Sequence, residues 1–287
     1  MHAIWRAIKK IENFHMNSSQ LPASLPRVNE QRLYKAQEGQ KSSRYVIGVD
    51  EAGRGPLAGP VVAAAFVLCT PFRGDSRLLP LELSRGITDS KQVDEEVREY
   101  LYNEKMKGCL NVQYAFSVVD NKVIDKINIL QATFLAMTQS VESLVSRIRL
   151  DDPKARFAVL IDGNKVPPQL HAHDFVCESL IKGDSIEFVI AAASICAKVE
   201  RDLIMHTLHE EYPQYNFKQH KGYPTGGHVA AIRTHGPCKH HRLTFAPLKS
   251  LKKVATKIGQ VSTKPIDEKM DEREARMLRR ARQRGDN

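Results

Sequence analysis

The chain has 287 residues, 42% of them hydrophobic, and a formal net charge of +10. That length allows one large domain or two small ones with a sizeable core, while no apolar run approaches the roughly 20 residues needed to cross a bilayer. The five cysteines are an odd number, widely spaced and without a CxxC pair, which fits free thiols in a reducing, intracellular compartment.

The charge is unevenly placed. Residues 1–44 carry 8 basic and 3 acidic side chains and residues 249–287 carry 12 and 6, so the body between them is nearly neutral. An appended basic excess suits nucleic acid, adding affinity that ignores sequence and weakens with salt. Solubilising or targeting tails have the same composition.

In chain order, Ile4, Ile8 and Ile11 fall at helical spacing among Arg6, Lys9 and Lys10, and Ser18, Ser19 and Ser24 follow. This amphipathic, basic, acid-poor pattern matches either a mitochondrial transit peptide or a disordered extension. Residues 1–44 are therefore expected to be dispensable to the fold. Runs rich in β-branched residues predict strands over 45–49, 60–69, 112–119 and 157–161. Leu130, Phe134, Met137, Val141, Leu144 and Ile148 recur at steps of four and three and predict a core-packed helix over 129–148. A second helix is expected over 188–212, opening with small alanines that allow close packing on a sheet. Strands alternating with helices give an α/β domain with a mixed sheet. Beyond Leu248 the apolar pattern is lost, leaving a basic linker over 249–264 and a charged, exposed helix over 265–284.

The chemistry-bearing residues sit where strands run out. Asp50 and Glu51 end the first strand and meet Gly53-Arg54-Gly55 at once. Successive strand residues point to opposite faces, so both acids serve one site only if the strand stops there. Asp162 follows the apolar run FAVLI and precedes Gly163-Asn164, while Asp184 lies in KGDS ahead of an apolar helix, where it could instead be an N-cap. Collected acids suit hard divalent cations such as Mg²⁺. Cys238 with His235, His240 and His241 lacks the ligand spacing of a tetrahedral zinc site.

The string VDEAGRGPLAGPVVAAA closely resembles the signature of the type 2 ribonucleases H, ribonuclease HII. Further blocks of that family stand in its order: Asp89-Ser90-Lys91, INILQAT, LIDGN, KGDS, AAASICAKVERD, HKGYPTGGH and HRLTFAP. The resemblance spans residues 45–248 and implies the ribonuclease H-like fold with a helical C-terminal part. It also implies an endoribonuclease that hydrolyses the RNA strand of RNA:DNA hybrids and cuts 5′ to single ribonucleotides in duplex DNA. Two Mg²⁺ or Mn²⁺ ions would be held by Asp50, Glu51, Asp162 and Asp184. The backbone of Gly53, Arg54 and Gly55 would read the ribose 2′-hydroxyl, and Tyr223 would stack on the next deoxyribose. Lys182, Lys221, His228 and Arg242 are expected phosphate contacts. LIDGN and KGDS look like the bacterial single-subunit form, implying a monomer, with the tails available to a replication partner. A type 3 ribonuclease H, a noncatalytic hybrid-binding protein and a DNA nuclease of the same fold are the competing readings.

Overall fold

The computed structural model describes residues 21–36, 44–69, 83 and 85–250. The proposed transit helix and the charged helix over 265–284 lie outside these residues. None of the described helices is long and apolar enough to cross a membrane.

Residues 21–36 were expected to be dispensable, but they are built into the fold. Their helix α1 (Val28–Ala36) starts beside Glu187, whose carboxylate accepts hydrogen bonds from the backbone of Asn29 at 2.8 Å and of Glu30 at 3.3 Å. The first N–H groups of a helix have no partner within it, and here a residue far along the chain supplies one. Upstream, Leu25 N–H donates to Ile87 O at 2.9 Å and Phe188 N–H to Pro26 O at 2.9 Å, and Leu33 enters the core. The carboxylate that completes this helix is remote in sequence, so local pattern could not reveal it.

Five strands follow in the sheet order β3-β2-β1-β4-β5. They are β1 (Arg44–Ala52), β2 (Val61–Leu68), β3 (Val112–Val119), β4 (Arg156–Asp162) and β5 (Phe175–Leu180). Every residue of β2 is buried, in keeping with its unbroken apolar sequence VVAAAFVL. β1 and β4 are parallel, in register from Arg44↔Arg156 to Val49↔Ile161, and β4 and β5 are parallel from Phe157↔Phe175 to Asp162↔Leu180. The eight residues joining β1 to β2 are too few for a parallel crossover, which makes the sheet mixed. β5 has no counterpart among the expected strands. It is a half-exposed edge in which Glu178 and Ser179 interrupt the apolar run.

Helix α2 (Glu95–Tyr100) passes into a π-helical turn, Leu101–Met106. Helix α3 (Asn121–Asp151) contains a break at Asn128, φ 67° and ψ 164°, where the Asn128 side chain accepts from Leu130 N–H at 3.0 Å and caps the segment beyond it. The predicted stripe begins at that cap, with Phe134, Met137, Val141, Leu144 and Ile148 buried. Helix α4 (Phe188–Glu211) lies hard against β1: a Cβ added to Gly48 would come within 2.2 Å of the Val189 carbonyl carbon. Its alanines 191–193 and 197 are fully buried, as close packing demands. Two short helices complete the described chain, α5 (Phe217–His220) and α6 (Gly226–His235).

The chain divides into two compact units, one from residues up to 52, 63–117 and 134–199, the other from 53–62, 118–133 and 200 onward. The first contains most of the sheet. The second has its own core of Leu57, Ala58, Met205, Tyr215, Phe217, Val229 and Ile232.

Candidate active site

In the first unit, strand register brings the acids together. Asp50 and Asp162 each stand one residue past the Val49↔Ile161 pair, so parallel pairing sets them side by side. Beyond Leu180, the partner of Asp162, the chain turns through Lys182 in a left-handed conformation into a 3-10 turn, Gly183–Ser185. That turn carries Asp184, whose N–H donates to Asp162 Oδ1 at 3.4 Å. One carboxylate oxygen from each of Asp50, Asp162 and Asp184 then lies within 4.8 Å of the others. Among the described residues, no other group of three such ligands occurs.

Glu51 falls outside this trio. β1 does not stop at Asp50 but runs on through Glu51 to Ala52, and the Glu51 charge still bears on Asp50. Asp50 is 3% exposed and Glu51 only half-buried.

Burial pushes the Asp50 carboxyl well above the usual carboxylate range, and the charges of Glu51 and Asp162 push it further. Ser194, on α4, and the Glu51 N–H donate to it and resist that rise. Asp162 is raised too, first by burial and then by Asp184, against backbone donors and the charge of Lys91. Such mutual repulsion is what bound cations relieve. The donor set is all oxygen and closely spaced, and it fits a hard divalent ion.

Two neighbours were not identified from sequence. Lys91 Nζ reaches Asp184 at 2.8 Å; partial burial opposes its charge, but Asp184, Asp50 and Asp89 together hold its pKa above the ordinary lysine value. Ser194 is joined to Ser90 at 2.8 Å between hydroxyls. Both lie inside the family-like blocks, which marked the segments but gave neither side chain a task.

In the second unit, two buried arginines hold the glycine loop by its carbonyls. Arg242 donates to Gly53 O at 2.6 Å, Arg54 O at 3.1 Å and Gly59 O at 3.0 Å, and Arg201 to Pro60 O at 3.0 Å and Ala58 O at 3.3 Å. Gly53 has φ +96°, and a Cβ there would lie 2.0 Å from Arg201 Nε, so only glycine fits. A Cβ on Gly55 would lie 3.3 Å from Cε1 of Tyr223, placing the tyrosine ring over the loop. Tyr223 is 44% exposed.

Three expected phosphate contacts prove to be interior groups. Arg242 is fully buried on the loop carbonyls, and Lys221 is buried with Nζ at 2.6 Å from His206 Nε2 and 2.8 Å from Lys218 O. His228, also fully buried, contacts Tyr223 O and His241. The donors of these bonds point at protein and not at solvent. Sequence offered no sign of this, because partners far along the chain decide whether a polar residue is buried. Arg54 and Lys182 are exposed, as a backbone-contacting cation must be.

A family model described as ribonuclease HII matches residues 47–248. The chain belongs to the ribonuclease HII family. A ribonuclease HII from Xanthomonas axonopodis pv. citri is 46% identical over 207 residues, covering 72% of this chain and 76% of its own. One from Delftia acidovorans is 46% identical over 210 residues, covering 73% and 79%. The crystal structure of the ribonuclease H2 from Pyrococcus horikoshii superposes with a TM-score of 0.55 at 25% identity, over 74% of this chain and 99% of that one. The chain is thus an endoribonuclease acting on RNA:DNA hybrids, with the ribonuclease H-like α/β fold and a dependence on divalent metal. These bacterial relatives lend no support to mitochondrial import.

Proposed function

We propose that this ribonuclease HII uses Asp50, Asp162 and Asp184 to hold Mg²⁺ or Mn²⁺, with Glu51 serving a second ion beside Asp50. The trio's spacing carries the reading, and the charge of Glu51, which after burial raises the Asp50 carboxyl, supports the fourth assignment. When bound by these residues, such ions would supply an activated water and neutralise the charge on the leaving oxygen. The chain's own residues do the rest. Ser194 and the Glu51 N–H keep the Asp50 carboxylate oriented, and Lys91 holds Asp184.

Substrate choice is assigned to the second unit. Gly53, Arg54 and Gly55 present backbone to a ribose, whose 2′-hydroxyl distinguishes RNA from DNA. The Tyr223 face occupies the space beside the following sugar, where a second 2′-hydroxyl would be crowded. Cleavage then falls 5′ to a ribonucleotide that precedes a deoxyribonucleotide, leaving a 3′-hydroxyl and a 5′-phosphate. A monomeric state and a replication partner bound through the tails play no part in this reading.

The test is a DNA duplex with one embedded ribonucleotide, incubated with Mg²⁺ or Mn²⁺ beside an all-DNA duplex. Wild type should cut only at the ribonucleotide, and Asp50→Asn should cut neither. Equal cutting of the all-DNA duplex would overturn the reading, and binding of the hybrid without cutting would reduce the protein to a binding module.

A further inference from the structure

His228 and His241 have no task in the reaction above, yet they are 0% and 1% exposed and linked to each other. Their hydrogen-bond partners assign their protons. The Cys238 N–H donates to His241 Nδ1 at 2.9 Å, so that nitrogen is bare and Nε2 carries the ring proton. At the other end, Tyr223 O can only accept, so His228 Nδ1, 2.9 Å away, is protonated and its Nε2 is bare. The two Nε2 atoms face each other at 3.1 Å, one with a proton and one without. Tautomers deduced separately from the two ends agree.

The chain of donors ends on the residue assigned to the sugar. Tyr223 O also accepts from Thr225 N–H at 2.8 Å, and Tyr223 N–H donates to His220 O at 2.8 Å. Its backbone is fully tied while its ring stays half-exposed. We infer that His228 and His241 form a tautomer-locked brace that positions Tyr223, and through it the preference for a single embedded ribonucleotide over a uniform hybrid. The second half rests on the sugar-stacking reading of Tyr223 given above.

The brace is built to remain neutral. Burial, with the adjacent His220, depresses His228 to about 3, and burial, with His240, depresses His241 to about 4. The ionisable groups around the pair are His220, stacked on His228 at 4.4 Å, Tyr215, 4.9 Å from His241, Cys238, with Sγ 3.1 Å from His241 Nδ1, and His240. None supplies a negative charge at neutral pH that would favour imidazolium.

The full chain is tested by ¹⁵N NMR of its histidine rings and by cleavage rates on the two substrates. The spectrum should show His228 protonated on Nδ1 and His241 on Nε2, unchanged from about pH 5.5 to 8. His228→Leu should lower the ratio of embedded-ribonucleotide to hybrid cleavage about five- to tenfold, the worth of one such hydrogen bond. His228→Asn, which retains a donor near the Nδ1 position, should restore most of it. His241→Asn accepts from Cys238 but lacks the Nε2 donor, and should lower the ratio even if His228→Leu fails to fold. A Tyr223→Ala, His228→Leu double variant should be no worse than Tyr223→Ala alone. A folded His228→Leu or His241→Asn with an unchanged ratio, or a charged histidine in the spectrum, would overturn the inference. If Tyr223→Ala itself leaves the ratio unchanged, the sugar-stacking reading fails and the selectivity role with it, while the spectrum decides the brace separately.

Discussion

Each acid of the trio is held by a different local device: Asp50 by the last stretch of a strand, Asp162 by the end of its parallel neighbour, Asp184 by a tight turn. Burial and the neighbouring acids raise the Asp50 and Asp162 carboxyls above the usual carboxylate range. Ser194 offsets part of that rise at Asp50, so Ser194→Ala should weaken Mn²⁺ binding by about 10- to 100-fold, measured by calorimetry on a folded protein. Unchanged affinity would remove Ser194 from the site. At the loop, Gly55→Ala would set a Cβ 3.3 Å from the Tyr223 ring, a contact the ring must yield to. Cutting at an embedded ribonucleotide should fall, by up to about 100-fold if the sugar shifts by an ångström, with melting temperature nearly unchanged. At this scale Asp50 and Asp162 were visible in the sequence because each ends an apolar run, whereas Asp184 was implied only by the family resemblance of KGDS. The sequence did not show that Glu51 stands outside the trio, since that depends on β1 running on through it to Ala52. Nor could it show that Arg242, Lys221 and His228 are interior groups.

Among elements, the decisive contact is α4 against β1. The strand holds Asp50 and the helix holds Ser194, and they approach so closely that Gly48 has no room for a methyl group. Gly48→Ala would press on main chain, which cannot swing aside as a side chain can, and should cost on the order of 3 kcal/mol, read by denaturant titration. A loss below about 0.5 kcal/mol would mean that the helix is free to shift. α1 is the element that local pattern missed, in a stretch expected to be dispensable. Its anchor, Glu187, is pushed up to about 7, first by burial and then by Glu30, against donors from Asn29. The predicted β2 and β4 were visible because buried strands are apolar almost throughout, and α4 because it opens with a run of small and apolar residues. β5 was hidden because an edge strand need bury only part of its surface.

For the whole molecule, the titrating groups pull stability in opposite directions. Carboxyls raised by folding, such as Asp50 and Glu187, bind more protons folded than unfolded and favour acid. Histidines depressed by folding do the reverse. Between the unfolded value of about 6.5 and the folded value of about 4, the unfolded chain holds a His241 proton that the native state refuses, so stability falls as pH drops. Above about pH 7 this contribution is flat. The stability advantage of wild type over His241→Asn should therefore shrink by up to about 1.4 kcal/mol per pH unit below 6.5. A gap that is constant from pH 7.5 to 5 would contradict the depressed value. In the proposed function, strand register gathers three acids into one metal-dependent hydrolytic centre. It is tested most directly by the rate of RNA:DNA hybrid hydrolysis against Mn²⁺ concentration for wild type and Asp162→Asn. The predicted result is a saturating Mn²⁺ dependence for wild type and no cleavage by a folded, hybrid-binding Asp162→Asn; hydrolysis by that variant at the wild-type rate and with the same Mn²⁺ dependence would contradict it.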